Sequence, residues 1–343
     1  MIHEGSADAD TPADDLKGLR CAWTNRAPSG ALSVGAKRFA RRVWLRLFAR
    51  RPFWHNRAYD GRFLCLPDTA RPGHGYLIWD ERIVLPVTHA AAGPGPGNLA
   101  GGCNIVASGP SILEIRDRQR LLDRFSVAVN GAHAAVPRGD RQFDLYVVTD
   151  LRFIKGRWDL FRAGLDAAKT FAANHRVFVE ILQRDPQLLV GRRLVLFTDL
   201  SQPYLGPRND KAAWRRLPGV MLAPNGLGFS LNPAVGVFPG DTVIYPCLQL
   251  LCGWGFRQIF VFGMDLTGGK RSYCEDNPAP SFLVRDYASA VLPSFELAAR
   301  AAAAWGITIW NCSPVSVLPE HVLPKLAPDQ ALNGAAAVNW IQG

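Results

Sequence analysis

The chain has 343 residues, 48% of them hydrophobic, with a mean hydropathy of zero, enough for a full core in one large or two ordinary domains. Its formal net charge is +10, but residues 16–59 hold eleven lysines and arginines and no acid, so the rest is close to neutral, which disfavours a generally basic nucleic-acid protein. Seven scattered cysteines with no CxxC pair suit a reducing compartment better than a disulfide or zinc framework.

The first twenty residues are acidic and lack an apolar core, so no secretion signal is expected. No apolar run reaches the roughly 20 residues of a membrane-spanning helix. In 35–57, "AKRFARRVWLRLFARRPFW" interleaves Phe39, Val43, Trp44, Leu47 and Phe48 with arginines, as in a helix lying on an anionic bilayer; the alternative is a solvated helix docked on the core. Residues 1–100 read as an N-terminal extension with few regular elements, ending in the linker "AAAGPGPGNLAGG".

From Cys103 the pattern becomes strand, glycine turn, helix: "CNIVAS", "GPSILEIRDRQRLLDRF", "SVAVN", then "FDLYVVTD", a basic amphipathic segment over 155–167, and the strands "VFVEIL" and "LVLF". Later come a helix in "YPCLQLLCGWG", the strand "RQIFVFGMD", a helix over 284–305 and the strand "ITIWNCS". Short apolar strands alternating with helices predict an α/β fold: a Rossmann-like, mostly parallel sheet with helices on both faces. This domain is expected over 101–330, with a lid or acceptor loop at 198–240 and a tail at 331–343.

In such sheets ligands bind beyond the carboxyl ends of the strands. Polar residues gather there: Ser108, Gly109, Pro110 and Ser111; Asn130 and Gly131; Thr149 and Asp150; Asp265 and Thr267; Asn311 and Ser313. Any one is an ordinary turn or cap, but together they outline a crevice. "ASGPS" lacks GxGxxG, yet a glycine turn opening a helix presents N–H groups to a nucleotide phosphate. There is no GxxxxGK[ST], and the histidines lack metal-ligand spacing, so no metal or other cofactor is expected.

The series "NIVASGPS", "VAVNG", "YVVTDLRF", "FGMDLTG", "RSYCEDN", "LVRD" and "WNCSPVSVLPEHVLPKL" resembles the lipopolysaccharide-core transferases of 3-deoxy-D-manno-octulosonic acid (Kdo), the WaaZ type. It is more distantly similar to the CMP-sialic acid sialyltransferases of glycosyltransferase family 42. The resemblance covers roughly 103–326 and implies a GT-A-like variant of the family 42 type: an inverting, metal-independent transferase. The donor implied is CMP-Kdo or a related CMP-ulosonic acid, and the acceptor the Kdo–lipid A region, at the cytoplasmic face of an anionic inner membrane. The alternatives are an enzyme using CMP-sialic acid, or a non-catalytic nucleotide-binding protein of the same fold.

Tyr273 lies eight residues past Asp265, as does the tyrosine that bonds the leaving phosphate in the sialyltransferases. Thr267 stands where that family has a second tyrosine, and Arg271 adds a cation; such donors stabilise charge as CMP departs. Without function, the stretch would be a surface turn. No histidine lies between His175 and His321, so the family's histidine base is missing. Asp286 is its expected replacement, with Glu275 and Asp276 as rivals. Donor contacts are expected from Ser108 to Ser111, Asn130, Thr149, Asp150, Gly263, Asp265 and Arg271. Thr242 joins them because "GDTV" aligns with a donor-binding threonine of the sialyltransferases, the alternative being that it simply starts a helix. Arg285 and Arg152 are expected to hold a sugar or acceptor carboxylate, although Arg285 and Asp286 could instead form a pair at a helix start.

Overall fold

The computed structural model describes residues 53, 55–56, 62–94, 102–268, 271–273 and 283–334. Contacts divide the chain into Met1–Arg57 and Ala58–Gly343, and the architecture below is that of the second unit. The basic segment 35–57, apart from three residues, lies outside the described residues, as do 335–343 and the stretch carrying Glu275 and Asp276.

A single ten-stranded sheet organises this unit. It opens with an antiparallel meander of β1 (Phe63–Pro67), β2 (His74–Trp79) and β3 (Ile83–His89). Parallel strands follow: β4 (Cys103–Val106), β5 (Phe125–Val129), β6 (Leu145–Val148), β7 (Thr170–Asn174) and β8 (Arg193–Phe197). After the separate hairpin of β9 (Val220–Leu222) and β10 (Gly228–Ser230), β11 (Gln258–Phe262) and β12 (Thr308–Asn311) complete it. The strand order is β1-β2-β3-β8-β7-β6-β5-β4-β11-β12. The chain therefore runs outward from β4 to β8 on one side and returns to β11 on the other, so the topological switch point lies between β4 and β11.

Alternate residues face two cores. Ile105, Val127, Val147, Ile259 and Val261 join one, covered by α5 (Ile244–Trp254) and α7 (Leu292–Ala304). Val106, Ala128, Tyr146, Val148, Phe260 and Phe262 join the other, under α1 (Leu151–Gly156), α2 (Trp158–Asp166) and α3 (His175–Arg184). Burial on both faces explains why these strands read as unbroken apolar runs. Among the described helices none is long and apolar enough to cross a membrane. Cys103, Cys247, Cys252 and Cys312 are buried free thiols.

Four expectations change. The boundary near residue 100 does not separate two units, because β1 to β3 are hydrogen-bonded into the same sheet through the pairing of β3 with β8. "VFVEIL" is helical: Val177, Phe178, Ile181 and Leu182 form one buried stripe, and Asn174 caps the helix by accepting from Val177 N at 3.1 Å. The strand is instead "TFAAN". The long helix expected after "ASGP" is two short 3₁₀ turns, Pro110–Glu114 and Arg118–Leu122. Between them the Arg118 side chain donates to the carbonyls of Leu113 and Ile115, doing the work of helical N–H groups.

The fourth concerns 198–240, which is anchored rather than a free lid. It carries α4 (Lys211–Trp214) and the β9–β10 hairpin, and buries Trp214, Phe229 and Phe238. Gln249 of α5, fully buried, accepts from Ser230 N and Phe238 N and donates to the carbonyls of Phe238 and Tyr245. Both ends of this amide are satisfied, so it ties the segment to the core.

The helix near the end of the chain is also broken. α6 (Leu283–Asp286) passes through a π-helical turn, Tyr287–Val291, into α7, with Pro293 in its first turn. Proline brings no N–H and crowds the carbonyl four residues back, which a widened turn relieves. α8 (Pro328–Leu332) closes the described chain.

Gln249→Leu would leave two buried N–H donors and the Phe238 carbonyl unpaired, each such group costing about 1–3 kcal/mol. Denaturant unfolding is expected to show a loss of several kcal/mol. A loss below about 1 kcal/mol would mean that the segment is not held by this amide.

Candidate active site

The loops after β4 and β11 are clasped together at the switch point. Asp265 is buried, accepts from Ser111 N at 2.9 Å through one carboxylate oxygen, and from the Ser111 hydroxyl through the other. Gly109 N donates to the Gly263 carbonyl at 2.8 Å. A Cβ at Gly109 would lie 2.5 Å from both that carbonyl and the Asp265 carboxyl carbon, so only glycine fits. Gly263, at φ +68, has the Ala107 carbonyl 2.5 Å from the place of a Cβ. Ser272 N donates to Ser108 O at 2.8 Å, which draws the neighbouring Tyr273 over the same edge.

This clasp uses the N–H groups that were expected to cradle a phosphate. Gly109 N and Ser111 N are engaged, Ile112 N donates to Gly109 O, and Pro110 has no N–H. Asp265 likewise orders the loop and does not offer its carboxylate to a ligand.

A cleft of about 900 Å³ opens beside the clasp, beyond the ends of β11 and of β4 to β8. Six neighbouring strands span about 24 Å at ~4.8 Å spacing. It brings together Ser108, Gly109, Pro110, Asn130, Thr149, Asp150, Arg152, Thr242, Gly263, Asp265, Thr267, Arg271, Tyr273, Arg285 and Asp286. Ser111 is bonded behind it. Asn311 and Ser313 are not part of its wall: both are buried, Asn311 Oδ1 accepts from Ser313 N, and the Ser313 hydroxyl accepts from Met264 N.

Asn130 sits in the left-handed region at φ +48, and its Oδ1 is buried without a hydrogen-bond partner. Next to it, Gly131 carries the Tyr273 ring so closely that any Cβ would collide with Cε1. The Asn-Gly turn is thus the seat of the tyrosine. Behind it, burial pushes the His133 pKa down to about 4, and its Nδ1 lies 3.3 Å from Asn130 O.

The charged wall differs from expectation. Arg285 makes two 2.7 Å bonds to Asp286, holding that carboxyl below the usual range. Asp150 caps α1 by accepting from Arg152 N at 2.8 Å, and its carboxylate also receives the Arg152 guanidinium at 3.2 Å. Thr242 caps the start of α5, its Oγ1 accepting from Tyr245 N at 3.3 Å. Four charged lining residues were not singled out from sequence: Arg157, Arg176, Asp199 and Asp241. Arg176 donates to Gln202 at 2.8 Å while its buried Nε has no partner. The misread strand hid it, because "ANHR" is a strand end only if "TFAAN" is the strand.

No protein-family model matches the chain. It is 25% identical over 210 residues to a protein of Escherichia coli (strain K12) described as a probable 3-deoxy-manno-octulosonic acid transferase, covering 58% of this chain and 73% of that one. Among solved structures, it is similar to the MAf glycosyltransferase of Magnetospirillum magneticum AMB-1 at a TM-score of 0.39 and 14% identity, over 69% of this chain and 36% of that one. It is also similar to the sialyltransferase CstII of Campylobacter jejuni at a TM-score of 0.37 and 12% identity, over 66% and 86%. The chain spans about a third of the Magnetospirillum protein. In class it is an α/β protein with a mostly parallel central sheet. In particular it resembles the Kdo transferases, with a more distant likeness to the sialyltransferases.

His133 and His175, whose pKa burial lowers to about 4 and about 3, stay neutral in the folded state well below pH 6.5. The unfolded chain binds more protons there, so their contribution is full above pH 6.5 and is lost as pH falls toward 4. Urea unfolding is expected to show stability falling over this window by up to about 1.4 kcal/mol per pH unit per histidine. His133→Gln should reduce the slope, His175 keeping its own share; an unchanged slope would show that folding does not lower the His133 pKa.

Proposed function

We propose that the chain is an inverting glycosyltransferase that moves Kdo, or a related ulosonic acid, from its CMP ester to the Kdo–lipid A region of lipopolysaccharide. The observation that carries the reading is the convergence of Asn130, Thr267, Arg271 and Tyr273 on one cleft at the switch point, with Tyr273 seated on Gly131. The sequence similarity to a probable Kdo transferase supports the same donor class.

In this reading the partnerless Asn130 oxygen accepts from the nucleoside, whose amine or hydroxyls are donors. Tyr273, Thr267 and Arg271 face the phosphate. As the bond from the anomeric carbon to the phosphate oxygen breaks, negative charge grows on CMP and these groups stabilise it without a metal. Because Gly109 N and Ser111 N of the glycine turn are already engaged, side chains carry most of this work. Arg176, at the far end of the cleft, suits an anionic acceptor better than Arg152 and Arg285, which hold Asp150 and Asp286. Arg176→Ala should therefore raise the acceptor KM more than the donor KM.

CMP and CMP-Kdo should raise the melting temperature by mass action and NAD should not. Tyr273→Phe should slow both transfer and acceptor-free donor hydrolysis by about 10²-fold, also in the presence of EDTA. Stabilisation by NAD and not by CMP would overturn the reading. CMP binding without transfer or hydrolysis would favour a nucleotide-binding protein.

The basic segment at 35–57 is proposed to hold the protein on the anionic inner membrane where the acceptor lies. Deleting residues 37–51 should weaken binding to anionic vesicles and leave CMP binding unchanged, and salt should imitate the deletion. Undiminished vesicle binding would assign the segment to the fold instead.

A further inference from the structure

The remaining question is which group takes the proton of the acceptor hydroxyl, and the inference below rests on the transfer reaction just proposed. Most carboxylates of the cleft are committed. Both Asp286 oxygens lie in the Arg285 guanidinium at 2.7 Å, and a carboxylate so held is a weak base. Asp265 is closed by Ser111, and Asp150 by Arg152. Asp199 accepts from the backbone and hydroxyl of Ser201 at 2.9 and 2.6 Å.

Asp241 is different. It lines the cleft and makes no hydrogen bond or ion pair among the described residues. Its backbone is in the left-handed region at φ +55, directly after Gly240 at φ +53. Glycine enters this region freely and aspartate more readily than most residues, so the turn sets the Asp241 backbone against the cleft at little cost. The position is also fixed: a Cβ at Gly240 would collide with the Tyr245 ring, itself anchored by donating to Gly228 O at 2.9 Å.

We propose that Asp241 is the general base. Its carboxylate takes the acceptor proton as the hydroxyl oxygen bonds to the anomeric carbon of the ulosonic acid. The bond from that carbon to the phosphate oxygen breaks, its electron pair leaves with CMP, and the proton passes from Asp241 to water.

The electrostatics suit the task. Partial burial and then the negative charge of Asp286 raise the Asp241 pKa, against an opposing effect from Arg285. Arg152 from α1 acts on Asp286 in turn. The other charged groups of the cleft are Asp150 beside Arg152, Arg271 with Tyr273 on the β11 loop, and Asp199 with Arg176 and Arg157 beyond β6 to β8. A base with raised proton affinity accepts a proton better, provided it remains ionised at the working pH.

The test uses the full chain and measures transfer, acceptor-free hydrolysis of CMP-Kdo, and the CMP-induced melting shift. Asp241→Asn keeps a residue type that tolerates the left-handed region. It is expected to lower transfer by roughly 10²–10⁴-fold, hydrolysis by less than about tenfold, and to leave the melting shift intact. The acidic limb of kcat/KM, expected above the ordinary aspartate range, should vanish. Asp286→Asn should lower transfer less than Asp241→Asn and move that limb to lower pH, since a negative neighbour is removed. Near-normal transfer by Asp241→Asn, or loss confined to Asp286→Asn, overturns the assignment while the wild type still binds CMP and transfers. A wild type that neither binds CMP nor transfers overturns this inference together with the reaction on which it rests.

Discussion

The bridge from Asp265 to Ser111 is the constraint on which the rest of the cleft depends. At the switch point the chain leaves β4 and β11 in opposite directions, so beyond the main-chain bonds from Ala107 N to Phe262 O and from Gly109 N to Gly263 O the ladder no longer holds the two outgoing loops to each other. One buried carboxylate does so, bonded to the backbone and the hydroxyl of Ser111. Gly109 and Gly263 let the two backbones close to hydrogen-bond distance beneath it. From behind, Ser313 receives Met264 N and Asp265 O receives Val317 N. A carboxylate between fixed donors in a low-dielectric setting is stiff as well as stable.

That stiffness has a chemical cost. Gly109 N and Ser111 N, which in many α/β proteins would meet a phosphate, are consumed inside the protein, so the electrostatics of the cleft come mainly from side chains. The cleft holds five arginines, and the acids facing them are partly neutralised in place: Asp150 by Arg152 and Asp286 by Arg285. These pairs are exposed at their outer side and contribute little to stability. Their importance is that they determine which charges remain for a ligand.

The sequence made the parallel sheet legible because both of its faces are buried, and a strand apolar on every position is hard to mistake when a polar residue stops it. It also marked the cleft at β4, β5, β6 and β11 by that punctuation. Reading failed where apolar content and periodicity disagreed. "VFVEIL" is β-branched and apolar, but Glu180 breaks it at helical spacing, and the short strand before it has two alanines in place of valines. Asp241 was hidden for another reason: nothing in "FPGDTV" distinguishes an aspartate in an ordinary turn from one set by a left-handed backbone against a cleft. Thr242, which the resemblance did mark, lines the cleft and also accepts from Tyr245 N at the start of a helix. Asn311 and Ser313 looked like the other strand ends but belong to the sheet's edge, where their polar atoms meet the backbone of their own loop and of the β11 loop.

The π-helical turn at Tyr287–Val291 acts as a phase adjuster between two stretches of one helix. Downstream, α7 is locked to the core by Phe295, Leu297, Ala298, Ala301 and Ala302, so any change in residue number within the turn must be absorbed upstream. In an α-helix each residue advances the azimuth by about 100°. The wide turn therefore determines which way Arg285 and Asp286 point, and it is itself tied down where the Tyr287 hydroxyl donates to Val317 O at 2.9 Å. The aim of these charges is encoded as a count of residues, and a chain one residue shorter here could keep every side chain of the cleft and still present a different surface to its ligand.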